Sequence, residues 1–189
     1  MPRQRHELGA PDYAILGLLT LGPRHGYELL PYFSRGGELG LVCMLGTPRL
    51  YALLHGLEEL GLVRSETSAV SSGPPRKVFS LTEAGTEAFG AWLSQPIRRL
   101  RQIRQDFLLK LYFSRQIPGH DTQDLIERQL AACTVVADEL RSAADAEPPD
   151  SFARLVYQSR QATADATVHW LEAEREHTYL ATGTGSGAS

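Results

Sequence analysis

The chain is short of the features that announce most chemistries. It has two cysteines, Cys43 and Cys133. Two cysteines far apart cannot build a disulfide framework or a zinc ribbon, and free cysteine packs as a small hydrophobe. Both are read as buried thiols, with a redox pair as the alternative. No apolar run approaches the roughly 20 residues that span a bilayer. The opening residues MPRQRHELGAPDY lack the apolar segment of a secretory signal. The expectation is a cytoplasmic protein with no membrane partner. A phosphate loop, a GxSxG elbow and an HExxH helix are all missing. The six histidines do not group, and His169 and His177 stand about two helical turns apart, too far to chelate one ion as a pair. No catalytic residue, metal site or cofactor is expected. Charge of one sign is lacking too. The net charge is −3; residues 1–95 carry 8 basic and 9 acidic groups, and residues 96–189 carry 11 and 13. Nucleic-acid binding usually leaves a strongly basic footprint, so here it would have to rest on where the charges sit.

What is present is an ordinary globular composition: 189 residues, 42% hydrophobic and 22% charged. That length supports one medium domain or two small ones. Residues 1–11 read as a polar arm. Asp12 is a plausible N-cap for an apolar helix from Tyr13 to Leu21, which Gly22-Pro23 ends. A second helix is expected from about His25 to Phe33, with Pro31 kinking it or ending it early. Gly36, Gly37 and Gly40 mark a loop. Thr47-Pro48 is a strong helix start, with Thr47 as N-cap and Pro48 in the first turn. That helix runs to about Leu60, where Gly61 stops it. Leu50, Leu53, Leu54, Leu57 and Leu60 share one face. A strand from Leu62 to Glu66, a Ser/Gly/Pro-rich tip from Thr67 to Pro75, and a return strand from Lys77 to Leu81 form a hairpin. Thr82 caps a helix from Glu83 to about Ser94.

This order matches a winged helix-turn-helix, a mainly α fold with a small β-hairpin wing. The boundary is expected near Gln95-Pro96, giving a winged-helix domain over 1–95. Residues 96–181 read as a helical dimerisation domain. One helix spans Arg98 to Gln116, with Leu100, Ile103, Phe107, Leu111 and Phe113 at helical spacing. Another starts at Asp121 with Leu125, Ile126, Leu130, Cys133, Val136, Ala137 and Leu140 as its stripe. Asp150 caps the last, whose Phe152, Leu155, Ala162, Ala166, Trp170 and Ala173 make a seam near heptad spacing. Long helices with such a seam pack against a partner, and a second copy is the natural one. The alternative is that they fold back on their own chain. Residues 182–189 read as a disordered tail.

The second helix of a helix-turn-helix enters the major groove and reads bases from its N-terminal end. The candidates there are Thr47, Pro48, Arg49, Tyr51, Ala52 and His55. Arg49 is the best choice for a base edge, because its fork can pair with guanine. Tyr51 suits a phosphate, and His55, one turn further on, suits either a base edge or a phosphate. Arg76 and Lys77 follow Gly73-Pro74-Pro75 and suit the backbone or minor groove. Arg3 and Arg5 could add contacts from the arm.

Four stretches carry a resemblance to a known family: Ile15-Leu16-Gly17-Leu18-Leu19; Gly22-Pro23-Arg24-His25-Gly26-Tyr27-Glu28-Leu29; Leu50-Tyr51-Ala52-Leu53-Leu54-His55-Gly56-Leu57-Glu58-Glu59-Leu60-Gly61-Leu62-Val63; and Gly73-Pro74-Pro75-Arg76-Lys77-Val78-Phe79-Ser80-Leu81-Thr82-Glu83-Ala84-Gly85. In order and at these spacings they resemble the PadR family of transcription regulators. The rest resembles the family's long form, with an AphA-like C-terminal helical domain. The resemblance implies a homodimer on double-stranded DNA at an inverted-repeat operator, often as a repressor released by a small aromatic molecule. Gly56 departs from it, standing where relatives commonly carry a basic residue; glycine there costs about 1 kcal/mol of helix stability.

Tyr13, Phe89, Trp92, Phe107, Tyr112 and Trp170 are candidate effector contacts, since aromatics can stack on a flat ligand. The same residues can equally serve as core. An alternative from another class is a winged-helix protein-interaction adaptor without specific DNA binding, favoured by the near-neutral N-terminal half and by Gly56.

Overall fold

The first helix, α1 (Ala10–Thr20), is apolar on nearly every side, because other elements pack all around it: Ala14, Ile15, Leu16, Leu18 and Leu19 are all buried. The computed structural model describes residues 7–68 and 76–183. Gly9, not Asp12, is the N-cap of α1. Asp12 sits in the first turn and reaches back, its Oδ2 accepting from the Gly9 N–H at 2.9 Å. The carboxylate therefore satisfies an orphan donor from inside the helix.

A two-residue strand that the sequence did not suggest, β1 (Arg24–His25), precedes α2 (Gly26–Phe33). His25 is the N-cap, and its N–H donates to Glu28 Oε2 at 2.7 Å. Pro31 lies inside α2, which runs only two residues further. Ser34 Oγ donates to the Pro31 carbonyl at 2.8 Å. A 3₁₀ turn at Leu39–Leu41 occupies the expected glycine loop. Helix α3 (Thr47–Glu59) is capped by Gly46, so Thr47 and Pro48 are its first two residues rather than cap and start. Leu50, Leu53, Leu54 and Leu57 are buried, each worth about 1.5–3 kcal/mol of apolar burial. Leu60 falls beyond the helix, is 44% exposed and does not join that face.

Strands β2 (Val63–Ser68) and β3 (Arg76–Leu81) form the hairpin, and the sheet order is β1-β3-β2, antiparallel throughout. Thr67 and Ser68, expected in the tip, belong to β2. The rest of the tip and the arm cations Arg3 and Arg5 lie outside the described residues. Thr82 caps α4 (Glu83–Ser94), accepting from the Gly85 N–H at 3.0 Å while donating to the Gly61 carbonyl at 2.7 Å.

The expected helix from Arg98 to Gln116 is three segments: α5 (Leu100–Gln102), a π turn (Ile103–Phe107) and α6 (Leu108–Ser114). The chain forms two compact units, residues 1–95 with 108–117, and residues 96–107 with 118–189. The extra residue of a π turn rotates the helix face. Ile103 and Phe107 are buried within it, and Leu109 and Phe113 after it, in different units. One stripe in the sequence thus serves two cores. In the first unit, the Phe113 ring lies so close to Gly17 that a Cβ there would be inside van der Waals contact.

The second unit is built on α7 (Thr122–Ala146) and α8 (Phe152–Gly183). Asp121 caps α7, accepting from the Gln123 and Asp124 N–H groups at 2.9 and 3.2 Å. Ser151, not Asp150, caps α8, its Oγ accepting from the Arg154 N–H at 3.1 Å. Arg141 to Asp165 (3.6 Å) and Arg154 to Asp145 (3.9 Å) are ion pairs between the two helices. Gln129, polar and fully buried, was not in the expected stripe. Its amide pairs with both backbone groups of Ile97, each at 2.8 Å, and also donates to Cys133 Sγ at 3.2 Å. Thr182 and Gly183, expected in the tail, belong to α8, and 184–189 lie outside the described residues. No helix among the described residues is long and apolar enough to cross a membrane.

Candidate nucleic-acid interface

The leucine face of α3 is turned inward, which leaves Thr47, Pro48, Arg49, Tyr51, Ala52 and His55 exposed on the opposite side. All six base- and phosphate-reading candidates on this helix therefore share one solvent-facing surface. Tyr51 is 38% exposed, and its ring lies across the first residue of α2. A Cβ on Gly26 would come within 2.7 Å of the Tyr51 hydroxyl and 2.8 Å of its ring. Glycine at that position is what lets the phenol lie there. Next to it, the His25 and Tyr27 rings stack at 5.3 Å, and Tyr27 is half exposed.

The wing cation Lys77 is exposed and pairs across the hairpin with Thr67; Arg76 pairs with Ser68. His25 Nδ1 lies 3.2 Å from the Lys77 carbonyl, donating in the tautomer that carries the proton there. His25 thus ties the start of α2 to the return strand of the wing. Sequence reasoning missed Arg64, an exposed cation on β2 that donates to Ser80 Oγ at 3.1 Å. It also missed Glu58, one turn beyond His55 on α3. Ser65 Oγ donates to Glu58 Oε1 at 2.5 Å, and His55 Nδ1 stands 3.7 Å from its Oε2. The Ser65 hydroxyl, helped by the charges of Lys77 and His55, holds this carboxyl below its usual range. The spacing His55-x-x-Glu58 was a visible signal for the pair.

The aromatic candidates separate by unit. In the first, Tyr13 stacks on Trp92 at 4.5 Å, Phe89 lies 5.7 Å from Trp92, and Tyr112 joins through Phe113. Tyr112 donates to Glu38 at 2.6 Å; burial and that carboxylate push its hydroxyl up to about 12. Lys110, fully buried and unremarked in the sequence, donates to the Gln95 carbonyl and stands 4.9 Å over the Trp92 ring. In the second unit, Phe107 and Trp170 meet edge to face at 6.0 Å. An open cavity of about 500 Å³ between α7 and α8 is lined by Gln123, Glu127, Arg175, Glu176 and Tyr179, none of them among the six. Cys43 and Cys133 are both free and buried; burial raises both thiols, Cys43 to about 11. Both stay protonated near neutral pH.

Helix, strand, helix, helix and hairpin in this order, with the third helix showing a polar outer face, define a winged helix-turn-helix. Residues 15–91 match the transcriptional regulator PadR-like family, and residues 103–176 match the virulence activator alpha C-terminal family. The chain is 30% identical over 172 residues to the negative transcriptional regulator PadR of Bacillus subtilis (strain 168), covering 85% of this chain and 92% of that one. The chain belongs to the PadR-like family of transcriptional regulators. Solved structures similar to it include Bacillus subtilis PadR in complex with operator DNA, at 25% identity over 90% of this chain and 99% of that one, with a TM-score of 0.46. The same protein in complex with p-coumaric acid is also similar, at 25% identity over 89% and 98% of the two chains, with a TM-score of 0.42.

Proposed function

We propose that this regulator binds an inverted-repeat operator as a homodimer and represses transcription until a small aromatic acid releases it. The observation that carries the DNA reading is the α3 surface of a PadR-family chain: Arg49 exposed near the helix start, with Thr47, Pro48, Tyr51, Ala52 and His55 beside it. In this reading Arg49 takes a guanine edge, Tyr51 and His55 take phosphates, and Arg76 and Lys77 of the wing hold the backbone. A net charge of −3 is no obstacle where individual cations such as Arg49 and Lys77 meet the DNA.

The homodimer reading is supported by α8. Ala164 and Leu171 are buried within the chain, while Phe152, Leu155, Ala162, Ala166 and Ala173 of the heptad-like seam stay exposed. Phe152 is 78% exposed and Leu155 60%. A second copy would cover that seam, and a two-fold dimer matches a two-fold operator. The aromatic-acid reading is supported by the relative solved with p-coumaric acid, with Tyr13, Phe89, Trp92 and Tyr112 as candidate contacts in the first unit and Phe107 and Trp170 as candidates in the second. An effector releases DNA only if it binds the competent and incompetent states with different affinity. A cytoplasmic site of action and the absence of enzyme activity accompany the reading. The test is binding of purified protein to its own promoter region with increasing p-coumaric acid. Release of the promoter duplex at effector concentrations that leave the melting curve cooperative supports the reading. Unchanged binding at saturating aromatic acid removes the effector from it.

A further inference from the structure

A carboxylate on the exposed side of a recognition helix works against phosphate binding, because like charges repel. Glu58, one turn after His55 on α3, is instead half-buried against β2, its charge engaged locally by Ser65 Oγ at 2.5 Å and His55 at 3.7 Å. The sheet explains what that engagement can do. In the order β1-β3-β2, β2 is an edge strand, paired to β3 on one side only. Ser65 on β2 is where the strand bonds to α3. Alternation along the hairpin puts Ser65, Thr67 and Lys77 on the sheet face that carries the buried Val63 and Phe79. The backbone under Lys77 is tied from the other side by His25, at the start of α2.

We propose that Glu58 is a positioning residue for DNA binding: through Ser65 it locks the wing to the recognition helix, so that Lys77 meets the phosphate backbone at a fixed offset from Arg49 and His55. The inference rests on the DNA reading above. With the lock intact, the wing cation and the helix engage one stretch of backbone together. With it removed, Lys77 keeps its charge but no longer its place.

The experiment measures full-length protein on its promoter duplex by fluorescence anisotropy across a salt series. Lys77→Ala is introduced into four backgrounds: wild type, Glu58→Ala, Ser65→Ala and Glu58→Gln. In the wild-type background Lys77→Ala should weaken binding about fivefold and reduce the salt slope by about one. In the Glu58→Ala and Ser65→Ala backgrounds the same change should cost less than about twofold and leave the slope nearly unaltered. Glu58→Gln keeps an oxygen for the Ser65 hydroxyl and should restore the wild-type Lys77 effect. A merely structural role would not move the Lys77 increment. An equal Lys77 loss in all four backgrounds overturns the proposal, as does a Glu58→Ala protein that only gains affinity with the increment unchanged. Ser65→Ala removes the bond from the strand side should Glu58→Ala fail to fold. Failure of wild-type protein to bind any duplex overturns the DNA reading itself, and this inference with it.

Discussion

Gly26→Ala is a small change with a calculable effect on the proposed interface. The new Cβ would sit 2.7 Å from the Tyr51 hydroxyl and 2.8 Å from its ring, well short of the roughly 3.5–4.0 Å at which carbon atoms rest. Gly26 is not among the glycines with positive φ, so alanine fits the backbone without strain. The whole cost is therefore steric, and the backbone of α2 is the less yielding partner. Tyr51 is 38% exposed and can swing outward, which limits the loss of stability to about 1 kcal/mol, at the low end of overpacking costs. That corresponds to a fall in melting temperature of about 2–4 °C. The phenol, however, leaves the position from which it would reach a phosphate. Loss of one such hydrogen bond to a charged group is worth about 1.5–3 kcal/mol, so operator affinity should drop by roughly tenfold or more. Anisotropy titration of the promoter duplex reads the affinity, and a thermal melt reads the fold. Tyr51→Ala removes the clash along with the contact, so adding Gly26→Ala to it should change affinity little. An unchanged affinity for Gly26→Ala, or a full additive loss in the double variant, refutes the reasoning.

The other expectations concern separate parts of the molecule. Gly17→Ala drives a Cβ into the buried Phe113 ring and should destabilise the first unit by about 1–3 kcal/mol in denaturant unfolding; neutral behaviour would contradict that packing. Arg49→Ala should cost about 1–3 kcal/mol of discrimination at one base pair, read by competition with single-base operator variants, and a uniform loss across variants would reassign Arg49 to phosphate. Leu155→Asp on the exposed seam should give a folded monomer in sedimentation, and a persisting dimer would place the interface elsewhere. Tyr112 is protonated in both states below pH 10. Its folded value near 12 means that the unfolded chain ionises first, so stability should fall as pH rises from about 10 through 12. Tyr112→Phe should flatten that alkaline limb, and an unaltered limb would assign it to other groups.

The sequence made the helices and hairpin readable where one local signal decided them. The inward leucines of α3, the Thr82 cap of α4 and the Asp121 cap of α7 all follow from side chains within a few residues. What it hid depends on residues distant in the chain. The strand β1 exists because Arg24 and His25 meet Phe79 and Val78, a pairing no local pattern shows. The π turn arises where one apolar stripe must serve two cores. Gln129 shares the wheel face of Leu125 and Cys133 but is polar, and it is buried there because Ile97 offers both a donor and an acceptor to its amide. At the interface, the exposed α3 residues were legible from the wheel, since the leucines fixed which side faces out. The links from Tyr51 to Gly26 and from Glu58 to Ser65 were not, because each joins two elements whose approach only the fold determines.

The most direct test of the central claim is anisotropy or gel-shift binding of the purified protein to its own promoter region across a salt series, beside an unrelated duplex of equal length. The expected result is preference for the promoter, affinity that falls steeply as salt rises, and loss of that preference in Arg49→Ala. Equal and negligible binding to both duplexes at low salt would contradict the account.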